Sequence, residues 1–267
     1  MKTAYNLEPE SQWCVQDTDV QFSGPPYQCV GTLNVQNLSD QKLKIRYLPA
    51  TSDDKALCCE QLFCQLRVPA NTQQQANVRL NLPSNTPPGQ YHVNIQVGDR
   101  AVKAHVEVLE NDVLKMQPKR TVLEGCPGET ITKTVNFHNQ GNTEIVLPAR
   151  SMVWFEERDW LGHNLVQTIR DTKQDDNYED YLNALLKRFQ KTMLPAITVE
   201  FDQSKDLLLP PGTQLSRSFS VTLPEGLLKG KTYHGFVKVQ RFRFWLAVYC
   251  NNGAVNANKE KTSKKID

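Results

Sequence analysis

Apolar and polar residues alternate in two widely separated stretches of this chain. From 76 to 82 every second residue is apolar (Ala76, Val78, Leu80 and Leu82), and polar residues stand between them. The same alternation returns from 218 to 223. A period of two is typical of a β-strand with one buried face and one face in water. The pattern therefore predicts a half-buried strand at each place.

These two strands belong to a longer repeat. Residues 68–97 (VPANTQQQANVRLNLPSNTPPGQYHVNIQV) return in altered form at 209–239 (LPPGTQLSRSFSVTLPEGLLKGKTYHGFVKV). In both copies a proline follows the first strand, because it cannot donate to a continuing ladder, and a turn with glycine precedes a second strand. A Leu-Pro-Ala triplet precedes each copy, at 48–50 and at 147–149. Such internal repetition predicts one structural unit used twice.

The repeated succession of proline-glycine turn, alternating strand, Leu-Pro, glycine, tyrosine and second strand resembles bacterial immunoglobulin-like and fibronectin-III-like repeats, in particular the NEW3-type modules. The resemblance implies an all-β fold of two tandem immunoglobulin-like β-sandwiches. It transfers no functional residue, because such folds host many unrelated tasks. A length of 267 residues agrees with two domains. We therefore predict a first sandwich at 1–110, a second at 111–250 and a disordered polar tail at 251–267.

The two copies differ in length at one connection. From 49 to 68 the first copy uses 19 positions, whereas the second copy uses 61 from 148 to 209. The difference predicts an insertion of roughly 40 residues, at about 150–208, in the second sandwich. Residues 176–194 within it carry apolar side chains at helical spacing, and Asp176 three positions before Glu179 resembles a capping box. We therefore predict one helix there.

The insertion is also the main candidate for binding. Aromatic residues beside charged ones are typical anchors of protein interfaces. The anchors that we predict are Trp154, Phe155, Trp160, Tyr178 and Tyr181. Two alternatives stay open, namely a helix that only caps its own sandwich and, less favoured, an active site. Trp154 and Trp160 also fit stacking on sugar rings, which makes a polysaccharide an alternative ligand.

The seven cysteines are many for a cytosolic chain and odd in number for a secreted one. Cys126 lies at an early turn and Cys250 follows the last strand, so a Cys126–Cys250 disulfide is one prediction. Disulfides from Cys14 or Cys29 to the cluster at 58–64 are a second. Metal binding by that cluster is disfavoured, because it holds no histidine and two of its cysteines are adjacent. Unpaired thiols in a reducing compartment remain the alternative throughout.

No catalytic or cofactor motif occurs in the chain. We find no nucleophile elbow, phosphate-binding glycine loop, zinc-protease helix or C-x-x-C pair, and we predict no cofactor and no metal. A formal net charge of +2 argues against a nucleic-acid partner. No apolar run reaches the roughly 20 residues of a membrane helix, so no integral membrane segment is predicted. The triplet Asn37-Leu38-Ser39 fits the glycosylation pattern.

Together these observations favour a non-enzymatic protein-interaction or assembly module of a bacterial, extracytoplasmic kind. It would bind a protein partner through the insertion. The alternatives are a carbohydrate-binding accessory module and a periplasmic chaperone-like protein, although the basic cleft residues typical of pilus chaperones are not found. The location is predicted as periplasmic or extracellular with a removed signal, and the alternative is cytoplasmic.

Overall fold

The computed structural model describes residues 13–52, 54, 57, 61–97, 100–172 and 177–251. The chain is mostly β-structure, as predicted, and it divides into two compact units. Unit 1 comprises the chain up to Leu114 together with Asn139–Ile145 and Pro210–Thr213. Unit 2 comprises Lys115–His138, Val146–Leu209 and the chain from Gln214 onward. Cys58 and Cys59, and the predicted tail beyond Asn251, lie outside the described residues.

The first eight strands form one continuous sheet in unit 1. They are β1 (Trp13–Val15), β2 (Asp19–Gly24), β3 (Cys29–Asn37), β4 (Leu43–Thr51), β5 (Gln61–Val68), β6 (Gln73–Leu80), β7 (Gly89–Val97) and β8 (Arg100–Val108). The pairing runs β3-β2-β8-β7-β4-β5-β6, and β6 pairs with β3 again. The sheet therefore closes into a barrel-like arrangement instead of separating into two sheets. Alternate residues such as Phe22, Leu33 and Ile95 fill its interior.

The remaining elements lie mostly in unit 2. They are β9 (Leu114–Gln117), β10 (Arg120–Gly125), β11 (Thr130–Asn139), β12 (Ile145–Leu147), β13 (Arg150–Val153), β14 (Glu156–Glu157), α1 (Trp160–Asp171), α2 (Tyr178–Thr192), β15 (Ile197–Phe201), β16 (Leu207–Leu209), β17 (Gln214–Thr222), β18 (Thr232–Val239) and β19 (Phe242–Cys250). One sheet has the order β10-β19-β18-β14 and another β13-β15-β17-β11-β9. Phe219 of the second sheet packs against Phe244 of the first at 5.5 Å between ring centroids. Aromatic packing of this kind joins the two sheets.

The two copies of the repeat pair their strands in the same register. In the first copy Cys29 lies opposite Leu80 and Gln36 opposite Gln73. The matching residues of the second copy, at 131 and 221 and at 138 and 214, are paired in the same way. The parallel pairs β2–β8 and β10–β19 also correspond, since each ends on a glycine opposite the last residue of its partner strand. The repeat seen in the sequence is therefore a repeat of hydrogen-bonding pattern.

A buried asparagine organises the same turn in each copy. The side-chain amide of Asn37 donates to the carbonyl of Gln41 at 2.7 Å, and that of Asn139 donates to the carbonyl of Thr143 at 2.7 Å. The side-chain oxygen of each asparagine accepts from the backbone N–H two residues later. Asn37 is completely buried. The predicted glycosylation acceptor is therefore wrong for the folded chain, because this side chain holds a turn together.

A buried arginine joins β15 and β17 in unit 2. Arg217 is 1% exposed, and its Nε donates to Oδ1 of Asp202 at 3.0 Å. Its two terminal nitrogens donate to the carbonyls of Pro148 and Gln203 at 3.2 and 3.4 Å. The guanidinium also lies 4.9 Å from the centroid of the Phe201 ring. The buried charge of Arg217 is tolerated in this core because its N–H groups have acceptors and Asp202 supplies the opposite charge.

Candidate interaction site

The extra residues of the second copy form a helical hairpin, α1 and α2, between β14 and β15. The predicted helix at 176–194 corresponds to α2, which begins at Tyr178 and ends at Thr192. Its N-cap is Asn177, whose side chain accepts from the N–H of Asp180 at 3.0 Å, so the predicted cap at Asp176, which lies outside the described residues, is replaced. Helix α1 was not predicted. Its signal was present in the i, i+4, i+8 spacing of Leu161, Leu165 and Ile169.

Helix α1 buries polar residues and exposes apolar ones. Asn164 and Thr168 are each 1% exposed, and they are the buried residues of this helix. Leu161 is 56% exposed and Ile169 is 62% exposed. Water-soluble helices normally show the reverse arrangement, with the apolar stripe inward. The outer face of α1 therefore offers apolar surface that the described part of the chain does not cover.

Helix α2 also exposes apolar side chains. Tyr178, Leu182 and Leu186 are exposed, and they lie on one side of the helix because they recur every four residues. The two helices are joined by stacking of Trp160 on Phe189, with ring centroids 4.6 Å apart, and by an ion pair between Arg188 and Asp171. These contacts hold the hairpin together and leave the three apolar side chains exposed.

The five anchors predicted from the sequence have different fates. Trp154 and Tyr178 are exposed, as an anchor requires. Trp160 and Tyr181 are half-buried, and Trp160 is occupied by its stack on Phe189. Phe155 is 3% exposed and belongs to the core, so it is not available to a partner. Sequence alternation could not separate Trp154 from Phe155, because the chain passes from one sheet to the other at this point.

The base of the hairpin is fixed by a close approach of two chain segments. Val153 and Phe155 pack on Gly235 of β18, where an added Cβ would lie 2.6 Å from Val153 Cγ1 and 2.8 Å from Phe155 Cδ1. These are distances that real Cβ atoms do not show, so only glycine fits. The segment between β13 and β14 is therefore tightly held, and the hairpin projects from a rigid base.

A cavity of about 710 Å³ lies between α2 and the rest of unit 2. Its walls are mainly apolar, with Ala184, Leu194 and Leu228 among the lining residues. Lys187 lies at its edge, and Glu157 and Tyr233 also line it. The volume is within the range of small-molecule pockets, yet three of its polar lining residues, Glu157, Arg188 and Tyr233, are already bonded to other protein groups.

The polar groups of this cavity are structural. Lys231 Nζ lies 2.6 Å from Glu157 Oε1, and the hydrogen bond and charge of Glu157 raise the pKa of Lys231. The hydroxyl of Tyr233 accepts from the N–H of Leu228 at 2.8 Å, and burial raises the pKa of Tyr233. Neither arrangement resembles an activated acid, base or nucleophile. The geometry therefore favours a packing role for these residues.

The cysteines predicted to form disulfides lie in different environments. Cys126 follows Gly125, which is opposite Cys250 in the parallel β10–β19 pair, and its Sγ donates to the carbonyl of Asn251 at 3.8 Å. Burial and the nearby Cys126 raise the pKa of Cys250. Cys14 is half-buried on β1, and Cys29 is buried in the core of unit 1. Burial raises the pKa of Cys64 to about 12. The predicted Cys126–Cys250 pair is thus adjacent. Cys14, Cys126 and Cys250 are free thiols in the structure, so no disulfide joins the pair there, and its oxidation stays a prediction.

The described ranges contain neither a metal-ligand cluster nor a helix that could span a membrane. Within residues 13–251, as far as they are described, no group of three or more His, Cys, Asp or Glu residues is arranged to hold a metal ion. Neither α1 nor α2, the α-helices of that part of the chain, has the length and apolar character needed to cross a bilayer.

Comparison with known proteins gives no family assignment. No family model matches the chain, and no curated protein does. Among solved structures, a protein of unknown function from Porphyromonas gingivalis W83 is 14% identical with a TM-score of 0.27, covering 90% of this chain and 100% of its own. The PapD-like domain 7 of human CEP192 is 13% identical with a TM-score of 0.26, covering 51% of this chain and 84% of its own. The CupB2 chaperone of Pseudomonas aeruginosa is 12% identical with a TM-score of 0.22, covering 88% and 98%. These TM-scores are well below 0.5, so the likenesses carry no functional argument.

Proposed function

We propose that this chain is a non-enzymatic interaction or assembly module that binds a protein partner through the outer face of its helical hairpin. The observation that supports this proposal is the inverted pattern of α1, which exposes Leu161 and Ile169 while it buries Asn164 and Thr168. Contiguous exposed apolar surface on a folded protein marks an interaction site more often than chance.

We infer that the scaffold consists of two variants of one immunoglobulin-like unit, of which the first is closed into a barrel-like sheet. The shared strand register and the shared asparagine turns support this view. The parallel first-to-last strand pairs, β2–β8 and β10–β19, support it further. Such a scaffold is stiff and has no chemistry of its own. Its task is then to present a surface in a fixed orientation, which is what a rigid base at Gly235 provides for the hairpin.

The surface also indicates the kind of partner. Leu161, Leu165 and Ile169 follow one another at one-turn intervals along α1. Apolar anchors at this spacing fit a partner with an apolar groove that accepts one side of a helix. The hairpin also carries charges, among them the ion pair of Arg188 with Asp171. Because the proposed anchors themselves are apolar, apolar contact would supply most of the affinity.

A matched pair of variants tests the proposal. Leu161→Ser combined with Ile169→Ser removes two apolar anchors from α1, and Leu38→Ser removes a similarly exposed leucine from unit 1. Tagged proteins are purified from the native host after chemical cross-linking. We expect one stoichiometric cross-linked protein with the wild type and with Leu38→Ser, and at least tenfold less of it with the double variant. If the double variant captures the same protein in equal yield, the hairpin is not the binding surface.

The same preparation tests the proposed location outside the cytoplasm. An extracytoplasmic protein purified without reductant should show fewer than its seven thiols in a denaturing thiol titration. Seven reactive thiols would instead support the cytoplasmic alternative. This result is independent of the cross-linking result, so the two parts of the proposal fail separately.

A further inference from the structure

The outer face of the sheet β10-β19-β18-β14 has an unusual composition. Strand register aligns Arg120 with Trp245 and Trp245 with Phe236 across three strands. Because opposite residues of paired strands point to the same side of a sheet, these three side chains share one face. The opposite face holds buried residues such as Phe244 and Leu246. The aromatic and basic side chains are therefore on the side that the unit 2 core does not use.

Four cations belong to this face. Arg120 and Arg243 lie on β10 and β19, Lys238 lies opposite Arg243, and Arg158 follows β14 with its N–H bonded to the carbonyl of Thr232 at 3.0 Å. All four are exposed. None of the four has an ion pair with a carboxylate of the described residues. Two of these cations also act on a neighbouring histidine. The pKa of His234 is lowered mainly by burial and further by the charges of Arg120 and Arg158.

The aromatic groups of the face are held in place before any ligand arrives. Trp245 is 51% exposed, and its ring meets the Phe236 ring edge to face with centroids 5.7 Å apart. Arg243 covers the Phe236 ring at 4.5 Å. Tyr249, also exposed, lies four residues further along β19 than Trp245, roughly 13 Å away at the usual strand rise. A rigid aromatic platform loses little conformational entropy when it binds.

We propose that this face binds an anionic polysaccharide, with a sugar ring stacked on Trp245 and the carboxylate or sulfate groups of the chain paired with Arg120, Arg243 and Lys238. The flat apolar side of a pyranose ring fits an exposed indole. The fork of a guanidinium matches a carboxylate with two parallel hydrogen bonds. Within the described protein none of these cations is in an ion pair, so a polymer that carries regularly spaced negative charge complements them.

A single-stranded nucleic acid is the other polymer that uses aromatic and basic surfaces. One observation favours the sugar. Glu124 lies opposite Tyr249 and Glu156 lies opposite His234, so two carboxylates stand on the same face. Carboxylates accept hydrogen bonds from hydroxyl groups, which a polysaccharide carries on every ring and the deoxyribose units within a DNA strand lack.

Affinity electrophoresis of the full chain tests the proposal with four soluble polymers. Polygalacturonate and dextran sulfate supply carboxylated and sulfated sugars, plain dextran is the neutral control, and a 20-nucleotide single-stranded DNA is the alternative ligand. Trp245→Ala and Arg243→Gln change the proposed face. As controls in unit 1, Tyr27→Ala removes an exposed aromatic ring and Arg46→Gln an exposed guanidinium. Thermal unfolding checks that each variant is folded.

We expect at least one anionic polysaccharide to retard the wild type. A roughly tenfold higher salt concentration should weaken the retardation. Trp245→Ala and Arg243→Gln should each weaken binding about fivefold or more, because each removes one central contact. The unit 1 variants should behave like the wild type. The proposal is overturned if neither anionic polysaccharide retards the protein, if dextran does so equally, if the DNA binds more tightly, or if the folded Trp245 and Arg243 variants bind unchanged.

Discussion

Replacing Asp202 by asparagine should destabilise unit 2 through the buried Arg217. The substitution keeps the shape of the side chain and removes its charge. The guanidinium of Arg217, a residue that is only 1% exposed, is then left without a counter-charge. Removal of one partner of a fully buried ion pair costs about 3–5 kcal/mol. Asp202 itself is 41% exposed, so water and salt already screen part of the interaction. We therefore expect Asp202→Asn to lower the free energy of unfolding by about 2 kcal/mol.

A double-mutant cycle shows whether the charge is the cause. Arg217→Met removes the buried charge, and in this background Asp202→Asn should cost less than about 0.5 kcal/mol, because no uncompensated guanidinium is left. The free energies come from urea unfolding followed by tryptophan fluorescence, with the slope of the transition checked for each variant. Equal costs of Asp202→Asn in the two backgrounds would refute the explanation, as would a single-variant cost within the range of ordinary surface substitutions.

The same pair predicts a dependence on pH. Burial acts to raise the pKa of Asp202, but the hydrogen bond and charge of Arg217 and the N–H of Ser218 outweigh it and lower the pKa below its ordinary value. A lowered folded-state pKa stabilises the protein above the unfolded-state pKa, which is about 3.9, and the stabilisation is lost as pH falls through the folded-state value. The difference between wild type and Asp202→Asn should therefore be constant from neutral pH down to about pH 5 and should shrink below about pH 4. A difference that instead grows on acidification would contradict this sign.

Two other predictions concern glycine positions and thiols. Gly235→Ala should lower the free energy of unfolding by about 1–3 kcal/mol, because the added Cβ would overlap Val153 and Phe155. Gly162→Ala, in open space on α1, should raise it by up to about 1 kcal/mol. The two variants should therefore shift the melting temperature in opposite directions, and shifts in the same direction would contradict the prediction. Oxidised glutathione should convert Cys126 and Cys250 into a disulfide, with loss of two hydrogens as two reduced glutathione molecules form, and mass spectrometry of peptides would detect the cross-link. Its absence from the oxidised wild type, or a cross-link of Cys250 to another cysteine in its place, would refute the pairing.

The β-strands could be predicted from the sequence because their burial follows the period of two that the strand geometry imposes. Residues 76–82 and 218–223 lie within or beside β6 and β17, and the matching registers follow from matching patterns. The helical hairpin could be predicted only in part. The apolar spacing of Leu161, Leu165 and Ile169 is enough to predict that α1 is a helix, but not which of its residues are buried, because Asn164 and Thr168 take the buried positions.

The site residues were harder to predict than the strands. Phe155, one of the predicted anchors, is buried. The alternation of buried and exposed residues is interrupted there, because the chain changes sheets between β13 and β14. The basic and aromatic face was not predicted at all. Its members come from β10, β14, β18 and β19, and no local window contains them. Only the pairing of distant strands brings Arg120 beside Trp245.

The shared register of the two copies also makes their corresponding connections exchangeable in principle. In the first copy residues 52–60 connect β4 to β5, and the second copy places α1 and α2 in the corresponding connection, between β14 and β15. That connection is thus a position at which the repeated unit accepts an inserted segment. Transplanting the hairpin into the first copy would yield a bivalent protein, in which two weak contacts reinforce each other through their tether.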